Sequence, residues 1–144
     1  VSGLLADAGV DVLDVSLIAQ SSWKEVKGQR YLVSTSAFPK NQPAGANVAL
    51  TAAVKEAAGL PVIAVGKLGE GNTARESVRD YSIDIVAIGR QMIADPDSAG
   101  KILAEKSSEI VRCEECMTCY ASIGSAKPMA CKVNKNLPGA ARTA

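Results

Sequence analysis

Four cysteines near the carboxyl end carry the clearest chemistry in this sequence. Cys113, Cys116 and Cys119 follow a C-x2-C-x2-C spacing, and eleven residues then separate Cys119 from Cys131. Three thiolates this close together can wrap one corner of a cubane cluster as ligands of three of its irons, and a returning loop can supply the fourth ligand. The spacing therefore predicts a [4Fe–4S] cluster bound by all four cysteines.

Two other interpretations of the cysteines stay open at this point. Zinc also binds thiolates, although zinc sites more often present two well-separated C-x2-C pairs, and four reduced thiols without metal are the plain alternative. Arg112, Lys127 and Lys132 lie beside the cysteines and could offset the charge of an anionic cluster. Lys132 stands where bacterial ferredoxins have a proline after the last cysteine, which disfavours a free-standing ferredoxin.

Two glycine turns form a second candidate site. Gly66-Lys67 and Gly89-Arg90 each end a short apolar run. Glycine lets a phosphate approach backbone N–H groups closely, and Arg90 can bind phosphate oxygens in bidentate fashion. The pair predicts phosphate binding, while tight turns without a ligand are the alternative interpretation.

Composition excludes several classes of function. The chain has 144 residues, a net charge of +1 and no histidine, so no histidine can act as a base or a metal ligand. The balanced charge gives no reason to expect nucleic acid or an anionic membrane as a partner. The sequence has no signal-peptide pattern and no apolar run long enough to span a bilayer. We therefore expect a cytoplasmic protein with reduced thiols.

The glycine turns follow two of three short, nearly continuous apolar runs. Such runs are typical of parallel strands that are buried on both faces. Each run comes after a helix end and a turn, and Gly9 and Gly59 suit the left-handed position that ends a helix. The predicted strands are residues 12–16, 62–65 and 85–88.

The segments between the runs have helical spacing, which predicts an α/β fold with a parallel sheet. Asn47 is a plausible N-cap of the first of these helices, and a short helix can begin at Gln91. Residues 17–45 are predicted to form a long loop with a short strand at 31–33, and residues 110–144 show no helix or strand period. The predicted helices are residues 47–58, 73–80 and 97–106.

The motifs LPVIAVGKLGEG, IDIVAIGRQMIADPDSAGKI, CEECMTC and CKVN resemble one family in particular. They are similar to the carboxyl-terminal part of Old Yellow Enzyme-like NADH:flavin oxidoreductases, and most of all to the iron–sulfur branch with 2,4-dienoyl-CoA reductase and trimethylamine dehydrogenase. AGVDVLDVS, VIAVG and IVAIGR resemble that family's sixth, seventh and eighth barrel strands. The resemblance covers nearly the whole chain and is weakest over residues 17–45.

The resemblance implies a partial TIM (β/α)8 barrel, about the last three βα units, in residues 1–109. A cysteine-rich iron–sulfur extension would follow in residues 110–144. It further implies FMN, a [4Fe–4S] cluster, NAD(P)H as electron donor and a small-molecule substrate with an activated C=C bond. The residues that match the FMN-phosphate motif are Gly66, Lys67, Gly89 and Arg90.

The chain also departs from the family. A complete barrel needs about 250 residues, and the family's substrate-orienting and proton-donating residues lie mainly on earlier strands, so we expect no catalytic residue in this chain. We expect it to be an incomplete, inactive portion that packs with a missing amino-terminal barrel half or associates with itself. One alternative is a non-catalytic α/β electron-transfer module that binds an iron–sulfur cluster or zinc. Another is a flavodoxin-like domain with a structural zinc site.

Overall fold

The protein has an α/β architecture with a small parallel sheet. The structure, a computed structural model, describes residues 1–16, 20–26, 28–35, 41–122 and 128–138. The elements, in chain order, are α1 (Ser2–Asp7), β1 (Leu13–Val15), β2 (Gln20–Val26), β3 (Gln29–Thr35), α2 (Val48–Ala58), β4 (Val62–Val65), α3 (Thr73–Tyr81), β5 (Ile85–Ala87), α4 (Arg90–Ala94), α5 (Ser98–Leu103), a 3-10 turn (Ser107–Glu109) and α6 (Thr118–Ser122).

The chain divides into two compact units. The first unit comprises residues 1–67 and 77–87, and the second comprises residues 68–76 and 88–144. The division into residues 1–109 and 110–144 stays a prediction. No helix in the described ranges is long and apolar enough to cross a membrane.

The parallel sheet lies in the first unit and has the strand order β1-β4-β5. Leu13 pairs with Val62, and Ile63 pairs with Ile85. All three predicted strands are therefore confirmed, although β1 and β5 are shorter than predicted. The central strand β4 supplies the core, because Val62 and Ala64 are fully buried. The outer strand β5 is more exposed to solvent than β4, since Ile85 is 49% exposed.

Two glycines end helices in the way that the sequence predicts. Gly9 has a φ of 86° and Gly59 a φ of 65°. Both values lie in the left-handed region that a side chain rarely adopts. Gly59 donates its N–H to the Lys55 carbonyl and so closes the end of α2.

Asn47 stands at the N-cap position of α2, but its side chain does not cap the helix. The amide instead donates to the carbonyls of Val15 at 3.0 Å and Val65 at 3.4 Å, at the carboxyl ends of β1 and β4. Asn47 is 2% exposed, and its Oδ1 has no hydrogen-bond partner within the described ranges. Its amide therefore ties two strands to the start of the helix.

We expect Asn47→Ala to lower the free energy of unfolding by about 2 kcal/mol, because two strand carbonyls lose a buried donor. The measurement is urea unfolding of the parent and the variant. The midpoints are compared, and the dependence of the unfolding free energy on urea concentration should be the same for both. Asn136→Ala, at an exposed position, is the control and should leave the midpoint unchanged. Equal midpoints for both variants would contradict this role of Asn47.

The predicted loop over residues 17–45 is wrong where two strands form, at residues 20–26 and 29–35. β2 and β3 form an antiparallel hairpin in which Gln20 pairs with Thr35 and Val26 pairs with Gln29. Gly28 lies in the connection with a φ of 76°, a conformation that tight hairpin turns require. Both strands are largely polar, so neither contains a continuous apolar run that would predict its full length. The strand predicted at 31–33 lies within β3, and residues 17–19, 27 and 36–40 lie outside the described ranges.

The second unit carries short helices. The short helix expected at Gln91 is confirmed, since α4 spans Arg90–Ala94, whereas the helix predicted over 97–106 is shorter and ends at Leu103. The cysteine-rich stretch, predicted to have no helix, contains α6 (Thr118–Ser122). A helix of five residues is too short to leave a periodic signal in the sequence.

Candidate functional site

The segment with the first three cysteines bends sharply at two residues. Glu115 has a φ of 53° and Met117 a φ of 60°. Left-handed residues within such a segment turn successive N–H groups toward one side, which is how backbone binds anions and iron–sulfur clusters. The Glu115 N–H donates to the Cys113 Sγ at 3.4 Å. The backbone therefore already presents a donor to one predicted ligand.

Cys116 is the most exposed of the four thiols. Its Sγ shares a hydrogen bond of 3.1 Å with the Thr118 hydroxyl. That bond, together with backbone N–H groups of Thr118 and Lys132, lowers the pKa of the Cys116 thiol. Because Lys132 follows Cys131 directly, the returning segment lies beside Cys116.

The pKa of the Cys113 thiol depends on Cys119 and Cys131 as well as on its own surroundings. Burial raises the pKa of the Cys113 thiol, while the Glu115 N–H and the charge of Arg90 lower it. Cys119 and Cys131 also act on it electrostatically and raise this pKa. Cys119 and Cys131 therefore lie within electrostatic range of Cys113, and all four predicted ligands belong to the second unit.

The donor set fits an iron–sulfur cluster in its chemistry. The four cysteines are free thiols. Backbone N–H groups approach the sulfurs of Cys113 and Cys116, and the Arg90 guanidinium acts on Cys113 through its charge. Within the described ranges, no three histidine, cysteine or acidic side chains are grouped to hold one metal ion. A cubane binds each thiolate through a different iron, so its ligands lie farther apart than those of one zinc ion.

Arg90, predicted to bind phosphate, contacts the cysteine segment. The residue opens α4 directly after Gly89. Its Nη1 donates to the Met117 Sδ at 3.3 Å, and its charge lowers the pKa of Cys113. Nothing in the sequence spacing signals this contact, because it joins residues 27 positions apart. Phosphate binding at Gly89 and Arg90 stays a prediction.

The other predicted phosphate turn lies in the first unit. Gly66 has a φ of 135° and Lys67 a φ of 54°, so the chain leaves β4 through two left-handed residues. The Lys67 Nζ donates to the Gln42 carbonyl at 2.8 Å, and the Gly66 carbonyl accepts the Gly45 N–H. The role of Gly66 and Lys67 in phosphate binding also stays a prediction.

Asp95 is a buried residue that the sequence analysis missed. It is 5% exposed, and its carboxylate accepts hydrogen bonds from the Lys101 Nζ at 2.7 Å and the Val111 N–H at 2.9 Å. The bond from Lys101 is the main reason that the pKa of Asp95 lies below its usual value. Asp95 therefore anchors the start of the segment that leads to the cysteines.

We expect Asp95→Asn to cost about 2 kcal/mol of stability at neutral pH, the usual size of a lost charged hydrogen bond. Because folding lowers the pKa of Asp95, this stability is fully present above the unfolded pKa of about 3.9. It is lost as the pH falls through the lower folded pKa. The gap between parent and variant, measured by urea unfolding, should stay constant from neutral pH to about pH 5 and close in stronger acid.

The exposed Asp97 offers a matched control for Asp95. Its side chain makes no capping hydrogen bond to α5, so Asp97→Asn should leave stability nearly unchanged across this pH range. A gap for Asp95→Asn that widens in acid would contradict the assignment.

Comparison with known proteins gives matches to flavin oxidoreductases. The NADH:flavin oxidoreductase / NADH oxidase family matches residues 3–109. The NADH oxidase of Thermoanaerobacter brockii is 31% identical over 116 residues, which are 81% of this chain and 16% of that protein. The bilirubin reductase of Clostridium symbiosum is 32% identical over 78% of the chain and 29% of that protein. The cinnamate reductase of Clostridium sporogenes is 23% identical over 91% of the chain and 18% of that protein.

The chain thus spans less than a third of the length of each of these relatives. The family match ends at residue 109, before the four cysteines. No solved structure is significantly similar to the chain.

Proposed function

The chain belongs to the NADH:flavin oxidoreductase / NADH oxidase family, and on that premise we propose that it is part of an FMN- and [4Fe–4S]-dependent NAD(P)H oxidoreductase acting on activated C=C bonds. The observation that supports the cluster is that Cys113, Cys116, Cys119 and Cys131 all belong to the second unit, where the Glu115 N–H donates to the Cys113 Sγ and Cys119 and Cys131 act on Cys113 electrostatically. The names of the relatives support the substrate class. Cinnamate, named in one of them, contains a C=C bond conjugated with a carboxylate.

When bound, FMN supplies hydride transfer and the cluster supplies single-electron transfer. The residues of this chain would bind these groups and offset part of their negative charge. The cysteine thiolates would ligate iron, and N–H groups of Glu115 and Lys132 would stabilise the negative charge on the sulfurs of Cys113 and Cys116. The Arg90 guanidinium adds positive charge near Cys113.

We assign the flavin phosphate to the turn at Gly89 and Arg90. Arg90 opens α4 directly after Gly89, and the planar fork of a guanidinium can bind two phosphate oxygens at once. Gly89 has open space where a side chain would stand, which leaves room for a phosphate near the backbone. This position, at the start of α4, lies directly after β5, and (β/α)8 barrels frequently bind phosphate in the loops that follow their last strands.

The proposed fold is the last part of a TIM (β/α)8 barrel. The three parallel strands form a sheet whose strand β5 leaves Ile85 49% exposed, and a closed barrel covers such an edge with further strands. We propose that an amino-terminal barrel half, or a second copy, covers it. Substrate-binding and catalytic residues would then come from that part of the enzyme.

The test is the flavin content and the NAD(P)H-dependent reduction of an enoate by the complete, anaerobically purified enzyme. We expect about one FMN per chain and turnover that stops when the flavin is removed. A protein with a cluster but without flavin or turnover would overturn the oxidoreductase proposal. That result would favour the non-catalytic electron-transfer module.

A further inference from the structure

A buried glutamine on α4 is bonded twice to the segment that carries the first cysteine. Gln91 is 6% exposed. Its Nε2 donates to the Val111 carbonyl at 2.8 Å, and its Oε1 accepts the Cys113 N–H at 3.0 Å. A side-chain amide offers a donor and an acceptor in one plane, so it pairs with this segment as a neighbouring strand would. The backbone on both sides of Arg112 is thereby fixed.

Gly69 makes room for the stem of Gln91. A Cβ at residue 69 would lie 2.6 Å from the Cβ and Cγ of Gln91 and 2.8 Å from the Ile88 Cγ2. Atoms so close to the backbone cannot swing aside as the tip of a long side chain can. Any side chain at residue 69 would therefore displace Gln91 or Ile88.

Two further contacts join α4 and the residue after it to the segments that carry the cysteines. The Asp95 carboxylate accepts the Val111 N–H at 2.9 Å. The Asn134 Nδ2 donates to the Ile93 carbonyl, on α4, at 2.9 Å, and Asn134 follows Cys131 by three residues. Helix α4 and the residue after it therefore anchor both cysteine-bearing segments through buried side chains.

We infer that Gln91 is a positioning residue for the metal cluster, held in place by the absence of a side chain at Gly69. It fixes the backbone at Cys113, so the thiolate is oriented before iron binds. The inference rests on the proposed function, because it requires the cysteines to bind a cluster. Residues that orient metal ligands commonly change metal affinity by about 10- to 100-fold.

The experiment measures how long the cluster survives a chelator in the complete enzyme, followed by absorbance and released iron. We expect Gln91→Leu and Gly69→Ala each to lose iron at least about tenfold faster than the parent. Both should also change the EPR spectrum of the reduced cluster. Gln91→Glu keeps the acceptor for the Cys113 N–H and should retain iron longer than Gln91→Leu does.

Two control variants separate positioning from general loss of stability. Ser98→Ala removes a buried hydroxyl that bonds to the Met92 sulfur on α4 without touching the cysteine segments. Gly100→Ala adds a Cβ to a helical glycine with nothing within 4 Å. Both should keep the parent's iron release and EPR spectrum.

The outcomes are distinct for the two proposals. A parent enzyme without iron overturns the proposed function. A parent that binds iron, with Gln91→Leu and Gly69→Ala variants that release it at the parent's rate, overturns the inference alone. The inference is also overturned if Ser98→Ala releases iron as fast as Gln91→Leu and Gly69→Ala do, so that iron loss only follows a lower melting temperature. If Gln91→Leu fails to fold, Gly69→Ala and Gln91→Glu decide the question by the same measurements.

Discussion

Replacing Cys131 with alanine is expected to reduce the iron content of the enzyme from about four atoms per chain to well below that number. In the proposed site, Cys131 is the ligand that the returning segment would supply, and its charge acts on Cys113. Without it, one iron of a cubane loses its protein ligand. The change should be visible as lost iron, lost labile sulfide and weaker visible absorption.

Met129→Ala is the matched control for Cys131→Ala. Met129 lies on the same returning segment, two residues before the cysteine, and is 40% exposed. This variant should keep the full iron content. A Cys131→Ala enzyme with four irons per chain would show that the fourth ligand lies elsewhere.

The second large effect is expected at Arg90. Removing one charge-assisted, bidentate contact to a phosphate should cost about 2 kcal/mol, which is roughly a thirtyfold weaker affinity for FMN. The measurement is a fluorescence titration of flavin-free complete enzyme with FMN. Riboflavin, which lacks the phosphate, should bind the parent and Arg90→Ala equally well.

Two variants complete the Arg90 experiment. Arg90→Lys keeps the charge but not the planar fork, so its affinity should fall between those of the parent and Arg90→Ala. Arg79→Ala removes the same charge from an exposed position on α3, where Arg79 pairs with the neighbouring Asp80. It should bind FMN as the parent does, and an equally tight Arg90→Ala would exclude Arg90 from the phosphate site.

The parallel strands could be predicted because buried strands appear in the sequence as short apolar runs. The run over β4 is apolar since its residues fill the core, and the glycines at 9 and 59 mark helix ends that need a left-handed residue. The β2–β3 hairpin contains no such apolar run. Its strands, QSSWKEV and QRYLVST, are largely polar, and their pairing depends on contacts across the turn.

The candidate site also has a part that the sequence predicts and a part that it does not. The spacing of the cysteines predicts a candidate ligand set, because three thiols within residues 113–119 can bind one metal cluster. The residues that hold those segments were not predictable. Gln91, Asp95 and Asn134 contact partners 16 to 41 residues away, and polar residues at such positions look like ordinary helix and turn residues until the fold brings their partners together.

The most direct test of the central claim is the iron, sulfide and zinc content of the anaerobically purified complete enzyme, measured together with its EPR spectrum after reduction. We expect about four irons and four labile sulfides per chain, no stoichiometric zinc, and an EPR signal of a reduced [4Fe–4S] cluster. Stoichiometric zinc without sulfide, or four cysteines that all react with a thiol reagent in metal-free native protein, would contradict it.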